Sequence, residues 1–400
     1  MVGLNTLFQG KVSADEFLRK YWPNHPLIHQ APIGRLDSIL SIPELRSLEV
    51  LVDSYKTPIS MWNRDGKTIR EVKGREAIQL YRKGWTIYMA KVDRFIPGIG
   101  PVLKQLEKDL GLRWGAGFCN AFASKAGTGA GPHFDYAWGF SVQLRGTKTW
   151  YFSKNTSVVN PTTGGAIAFA PGDDDSRYYA PSSYPKKMPK PALVQKIGPG
   201  GVVFNPRGWW HRTVAHQDSF AIDLEMDPRP WADYALSELR RLLFQREEWR
   251  ACPLGIRSSK KHQASVQRYA KNLMNQLPTL VKNIDFDSVW SQAMGLPENL
   301  DFRWRFKKDR KAKAILKSSK KPGSWIIEIR HPETGRTKLE IVDRELLSLW
   351  NWLEEREGNF TGDQLLEAAA PASAAAIEKV IRFFLEPQYL RRIRADGERD

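Results

Sequence analysis

The sequence predicts a mainly β fold, a small antiparallel barrel or sandwich, with helical additions and a C-terminal part that has its own hairpin. Three textures along the chain predict it. From residue 112 to about residue 226, short apolar or alternating runs ("WGAGFCNAFAS", "FSVQLRG", "KTWYFS", "GGVVFNP", "SFAIDLEM") are separated by Gly, Pro and Asp, the cadence of short strands joined by tight turns. After Pro230 the apolar spacing lengthens to three and four residues in "WADYALSELRRLLFQREEW" and "QRYAKNLMNQLPTLVKNI", which is helical periodicity. From residue 323 onward "SWIIEIRHPETGRTKLEIVD" reads as a hairpin turning at "PETG", and three helical segments follow it.

Taken in order, the chain opens with a helix in "SADEFLRKYWPNHPLIHQAP". Ser13 is its N-cap, Glu16 completes a capping box three residues later, and Pro23 and Pro26 stop it. "VDRFIPGIGPVLKQLEKDLG" is a turn leading into a helix that ends near Gly111. The strand-rich region comes next, then the helical one. The last three helices are "RELLSLWNWLEERE", "TGDQLLEAAA" and "AAAIEKVIRFFLEP", with Thr361 and Ser373 as caps for the second and third. A hairpin with three short helices resembles a winged-helix arrangement. Four hundred residues exceed one small core, and the expected division is 1–228, 229–322 and 323–400. No repeat of 20–50 residues is present.

Composition excludes several classes. With 42% hydrophobic and 26% charged residues the chain is globular rather than disordered. No apolar run reaches the roughly 18 residues of a membrane span, and "MVGLNTLFQGKVSADEF" lacks the apolar core of a secretory signal. Cys119 and Cys252 are too few for a disulfide framework or a thiolate metal site. A cytoplasmic protein without a membrane partner is expected. The net charge of +17 favours polyanions, so ribosome or RNA association through a basic surface is expected. Residues 302–321, "FRWRFKKDRKAKAILKSSKK", hold ten basic residues against one Asp. Such a run is usually a solvated helix face or linker, although the interleaved Phe302, Trp304 and Phe306 would also suit base stacking.

Chemistry begins at "GPHFDYAWGFSVQLRGTKTW". Side chains alternate along a strand, so His133 and Asp135 would point to one face. An isolated H-x-D is more often a hydrogen-bonded pair on a strand surface. One more histidine, however, would complete the two-His, one-carboxylate facial triad of non-haem Fe(II). "GPGGVVFNPRGWWHRTVAH" supplies it: Gly200, Pro206, Gly208 and His211 give G-x5-P-x-G-x2-H, a strand, a Pro-Gly corner and a second strand. Asp135 and His211 are far apart in sequence, and only a barrel would unite them. His216 lies five positions on, facing the opposite side of the same strand from His211, and "PRGWWH" favours His211.

The two halves resemble the paired motifs of the cupin barrel, with Asp135 where many cupins carry a second histidine. Lys148 then has a meaning, because a 2-oxoglutarate co-substrate would leave one carboxylate inside the barrel. A buried carboxylate demands a cation.

"HFD…LRGTKTW…NPRGWWH" resembles the JmjC-type, cupin-like 2-oxoglutarate oxygenases, and the "FLRKYWPNHPLIHQ" start is similar to their bacterial ribosomal-oxygenase branch. The resemblance implies a double-stranded β-helix followed by helical additions, a dimerisation region and a C-terminal winged helix. It implies iron ligands at His133, Asp135 and His211, a co-substrate cation at Lys148, and Fe(II), 2-oxoglutarate and O2 as the cofactor set. Family members often carry Thr or Ser three residues before the first ligand, where this chain has Ala130. Asn120, Thr128 and Ser124 are the candidate replacements. Trp138, Trp150, Trp209 and His216 are candidates for the substrate pocket, and Asp223 is a further ambiguous polar residue. The long polar insertion "PTTGGAIAFAPGDDDSRYYAPSSYPKKMPKPA" is a candidate for shaping its mouth.

The leading reading is therefore a dioxygenase that hydroxylates a C–H of a peptide or protein side chain, such as a ribosomal protein, acting as a homodimer. The alternatives are a tRNA or small-metabolite hydroxylase on the same barrel, and a catalytically silent cupin-like binding protein.

Overall fold

A computed structural model describes residues 2–63, 69–113, 115–167, 172, 174–257, 259–293, 304–319, 324–333, 335–341, 345–361, 364–365, 368, 380–381, 383–385 and 388–394. The chain forms two compact units, Met1–Pro228 and Arg229–Asp400.

Among the described residues, the first unit is built on thirteen strands. They are β1 (Leu27–His29), β2 (Ile59–Trp62), β3 (Ile69–Val72), β4 (Thr86–Met89), β5 (Gly117–Ser124), β6 (His133–Phe134), β7 (Trp138–Arg145), β8 (Lys148–Ser153), β9 (Gly165–Ala166), β10 (Leu193–Ile197), β11 (Val202–Asn205), β12 (Trp210–Ala215) and β13 (Ser219–Met226). Eight make one sheet in the order β1-β11-β7-β13-β5-β4-β2-β3, and five make a second in the order β10-β8-β12-β6-β9. The described pairings are antiparallel. β2 to β4, in a stretch that carries no strand signal in its sequence, extend the larger sheet at one edge.

Period-two alternation decides which side of the large sheet is core. On β13, Phe220, Ile222, Leu224 and Met226 join Cys119, Ala121 and Ala123 of β5 and Phe140 and Val142 of β7 in one buried cluster. Helical residues complete it, among them Phe17, Leu51, Leu103 and Leu106. The opposite face carries Asn120, Phe122, Ser141, Asp223 and Glu225, which line a cavity together with Lys148, Trp150, His211 and Thr213 of the smaller sheet. The two sheets thus face each other across a polar interior.

Local signals hold the elements in place. Ser13 Oγ accepts from Glu16 N–H at 3.1 Å and caps the helix Ala14–Lys20. The helix Gly100–Asp109 is followed by Gly111 at φ +65°. Gly146, at the β7–β8 turn, has φ +66°, and a Cβ there would sit 2.1 Å from the Asp218 carbonyl oxygen. Only glycine closes that turn.

The second unit contains the helices Trp231–Phe244, Lys260–Lys282 and Phe286–Ala293. Among the described residues it also has six strands: β14 (Trp304–Lys308), β15 (Lys313–Ser318), β16 (Trp325–His331), β17 (Gly335–Ile341), β18 (Asn359–Thr361) and β19 (Leu390–Arg394). The expected hairpin is β16–β17, and the helix Glu345–Glu355 follows it. Thr361 and Gln364 exchange the reciprocal hydrogen bonds of a capping box. Most of the two remaining expected helices, with Ser373, lies outside the described residues.

The basic run is neither a helix face nor a linker. Much of it forms β14, paired with β18 and β19, and β15, paired with β16. These pairings cross residue 322, so the division expected there is not a structural boundary. No helix among the described residues is long and apolar enough to cross a membrane.

Candidate metal centre

His133, Asp135 and His211 each offer one ligand atom, and these atoms lie within 4.8 Å of one another. β12 carries His211 opposite His133 of β6 in the ladder. β6 ends at Phe134, and Asp135 is the next residue. The Asp135 carboxylate reaches His211 Nε2 at 3.4 Å and His133 Nε2 at 3.8 Å. Asn205 Nδ2 donates to the same carboxylate at 3.3 Å, and Gly208 N–H donates to the Asp135 carbonyl at 2.8 Å. The Pro-Gly corner between β11 and β12 therefore holds Asp135 as well as turning the chain.

The ring nitrogens facing away from the cluster fix the orientation of both rings. His133 Nδ1 lies 2.7 Å from the Gly131 carbonyl and His211 Nδ1 lies 3.1 Å from that of Trp209. A carbonyl only accepts, so each Nδ1 carries the proton and each Nε2 presents its lone pair. Burial, and then the neighbouring His133, push the His211 pKa down to about 4, keeping it neutral. Two imidazoles and one carboxylate on one point suit Fe(II). The donor set fits the metal that the sequence implies.

A cavity of about 240 Å³ opens at this cluster. Lys148 lines it and is 4% exposed. Burial lowers its pKa, and the Asp223 carboxylate opposes that shift. Among the described residues no carboxylate lies within ion-pair distance of Lys148. Asp223 is itself pushed up to about 6 by burial, against a hydrogen bond from Ser141 and the charge of Lys148. Burial and then Asp135 raise Glu225 well above the carboxylate range. Trp150 Nε1, Asn205 Oδ1 and Asp223 Oδ1, all on cavity-lining residues, are buried without a hydrogen-bond partner. Such groups are costly unless something binds them.

Of the other expected site residues, Asn120 and Trp150 line the cavity. The Asn120 amide is already engaged, accepting from Lys91 N–H and donating to Glu225. Thr128 and Ser124 are not among the lining residues; both are buried beside Thr86, and Thr128 also donates to the Lys125 carbonyl. Trp138 does not line the cavity either, because its Nε1 is tied to the Pro23 carbonyl and Arg207 lies over its ring. Trp209 packs against Trp150 and Phe152, and only its carbonyl serves the site. His216 follows β12 and bonds Thr149 Oγ1 at 2.7 Å. Trp138, Trp209 and His216 are not among the residues that line this cavity.

The insertion packs beside the site. β9 pairs with β6, aligning Ala166 with His133, and Tyr184 is buried against Phe134 and Trp210.

Sequence reasoning missed Thr213, Tyr88, Trp62, Phe118, Asn205 and Glu225, all of which line the cavity. Thr213 was accessible from its position two residues after His211, on the same strand face. Its hydroxyl accepts from Ala130 N–H at 3.1 Å, beside the residue where the family hydroxyl was expected.

Residues 112–234 match the model of the JmjC domain. The chain is 29% identical to YxbC of Bacillus subtilis over 283 residues, 68% of this chain and 85% of that protein. It is 24% identical to ribosomal oxygenase 2 of Rattus norvegicus over 250 residues, 58% of this chain and 49% of the relative. The chain thus spans about half the length of that relative. A crystal structure of Escherichia coli ycfD aligns over 95% of this chain and 98% of its own, with 13% identity and a TM-score of 0.48.

Proposed function

Because residues 112–234 of this chain match the model of the JmjC domain, we propose that the protein is a 2-oxoglutarate- and Fe(II)-dependent dioxygenase that hydroxylates a C–H of a peptide or protein side chain. One observation carries this reading. Three metal-capable side chains converge at a cavity whose wall holds a buried lysine with no ion-pair partner among the described residues.

His133, Asp135 and His211 would hold Fe(II), the metal that suits two imidazoles and one carboxylate. Bound iron with 2-oxoglutarate and O2 supplies the oxidising power, with succinate and carbon dioxide as co-products. Lys148 neutralises the far carboxylate of 2-oxoglutarate, an anion that the interior would otherwise reject. Thr213 offers that carboxylate a hydroxyl. Trp150 on one side, and Phe122 and Tyr88 on the other, exclude water and orient the target side chain.

A polypeptide substrate is favoured by relatives that bear the name ribosomal oxygenase and by a second unit that a small-metabolite enzyme would not need. The helices of that unit leave Trp231, Leu236, Phe244, Phe286 and Trp290 exposed. Apolar surface of this kind is commonly covered by a second copy in a two-fold contact, and a homodimer follows.

The test is succinate formation from 2-oxoglutarate with added Fe(II), measured with and without a ribosomal protein fraction. Succinate rising with that fraction, together with a mass increase of one oxygen on a polypeptide, supports the reading. Absence of any succinate from metal-loaded protein overturns it.

A further inference from the structure

The basic excess of the second unit is concentrated in one stretch. Residues 303–338 hold thirteen Lys and Arg against three acidic residues, whereas residues 229–400 as a whole hold 32 against 24. The excess of the stretch exceeds that of the unit around it.

β15, β16 and β17 form a three-stranded antiparallel sheet with the register Lys313↔Arg330↔Arg336 and Ile315↔Glu328↔Lys338. Alternation sends Ile327 and Ile329 into the core of the unit, where Ala314, Leu316 and Leu339 pack against them. The residues between them form the other face: Lys313, Lys317, Arg330, Arg336 and Lys338, all exposed, around the buried Glu328, with Ile315, Ile326 and Glu340 at the remaining register positions of that face. Glu328 contacts Arg336 at 2.5 Å, Arg330 at 2.8 Å, Lys317 at 3.5 Å and Lys338 at 3.9 Å. One carboxylate thus steadies four cations and neutralises only one charge. Lys313 has no ion pair among the described residues. Side chains held this way lose less freedom on meeting an anion.

We propose that this face binds the phosphate backbone of double-helical RNA. Charge complementarity selects a polyanion. Single-stranded nucleic acid needs aromatic platforms for its bases, and among the described residues this face has none. Strands about 4.8 Å apart make a flat surface about 10 Å across its three strands. Such a surface suits the wide, shallow minor groove of A-form RNA, whereas the B-DNA major groove takes a helix or a two-stranded ribbon. The neighbouring helix Glu345–Glu355 has three glutamates and no Lys or Arg, so it is a poor reader of a DNA groove. Binding here is independent of the metal site.

The test is fluorescence anisotropy of the full chain with a labelled 20-base-pair RNA duplex, without iron or 2-oxoglutarate. About four neutralised phosphates predict a loss of roughly a hundredfold in affinity between 50 and 200 mM salt. Combined Lys313→Ala, Lys317→Ala and Lys338→Ala, with an unchanged circular dichroism spectrum, should weaken binding tenfold or more and flatten that salt slope. Three equal-charge changes elsewhere, Lys20→Ala, Lys56→Ala and Lys83→Ala, should leave it within twofold. The proposal is overturned if the two triple variants behave alike, if duplex DNA of the same length binds equally, or if polyglutamate of equal charge displaces the RNA completely.

Discussion

His133 and His211 face each other across the β6–β12 ladder with ring centroids 4.1 Å apart, although 78 positions separate them in the chain. Each ring is fixed by its own Nδ1–H bond to a backbone carbonyl two residues earlier, so both Nε2 atoms are set before any metal arrives.

That arrangement predicts the effect of removing a ligand. His133→Ala, Asp135→Ala and His211→Ala should each abolish Co(II) binding, read by its visible absorption, while thermal unfolding stays cooperative. His216→Ala should bind Co(II) normally and lose about 1 kcal/mol of stability with its Thr149 hydrogen bond. Co(II) binding that survives in His211→Ala but fails in His216→Ala would mean that the wrong histidine has been assigned.

Lys148 separates co-substrate binding from metal binding. Lys148→Ala leaves a buried carboxylate unpaired when 2-oxoglutarate enters, a loss of roughly 3–5 kcal/mol. The KM for 2-oxoglutarate should rise at least a hundredfold with Co(II) affinity unchanged. Lys148→Arg should recover part of the loss, because the charge remains while the forked guanidinium is larger. An unaltered KM in Lys148→Ala removes it from the co-substrate site.

The hydroxyl that serves the co-substrate is distinguishable by two substitutions. Thr213→Val should raise the KM for 2-oxoglutarate about fivefold, the value of one hydrogen bond of about 1 kcal/mol. Thr128→Val should lower thermal stability, because it breaks the buried contacts to Thr86 and the Lys125 carbonyl, and should leave that KM alone. The reverse pattern would return the role to Thr128.

The cluster of His133, Asp135 and His211 was legible in the sequence because H-x-D and the Pro-Gly corner before His211 are local signatures on strands with a clear cadence. Asp223 and Glu225 were harder to read. In "SFAIDLEM" an acidic residue at every second position looks like the wet face of an ordinary strand, whereas a barrel turns that face inward. β2 to β4 are too short to carry a periodic signal. The basic run concealed β15 in another way, since Ala and Lys are poor strand formers. Its period-two pattern of Lys313, Ile315 and Lys317 against Ala314 and Leu316 appears only once β16 pairs with it.

Stability should depend on pH through Glu107. This buried side chain accepts from Gly117 N–H at 2.7 Å, and burial pushes its pKa up to about 7, outweighing the backbone N–H groups that lower it. The folded protein therefore holds a proton that the unfolded chain has released. Its contribution to stability falls as pH rises from the ordinary glutamate value of 4.5 towards 7, and the deficit is complete above 7. Glu107→Gln keeps an acceptor without the charge. It should match wild type near pH 4.5 and exceed it by roughly 1–3 kcal/mol at pH 8, measured by urea unfolding at both pH values. Equal stability at pH 8 would show that the carboxylate is not held protonated.

The second unit should carry dimerisation, and the strand pairings dictate how to test it. Removing residues 323–400 would strip β14 and β15 of their partners, so a chain cut there would misfold for reasons unrelated to function. Point substitutions avoid this. Phe286 and Trp290 stack on the helix Phe286–Ala293 with centroids 6.1 Å apart, and both are exposed. Phe286→Glu with Trp290→Glu places two charges on that apolar surface without disturbing any core residue. Sedimentation velocity should show the wild-type chain as a dimer and the variant as a folded monomer, with succinate formation in the absence of substrate within twofold of wild type. A wild-type chain that sediments as a monomer, or a variant that remains dimeric, would place the partner of these helices elsewhere.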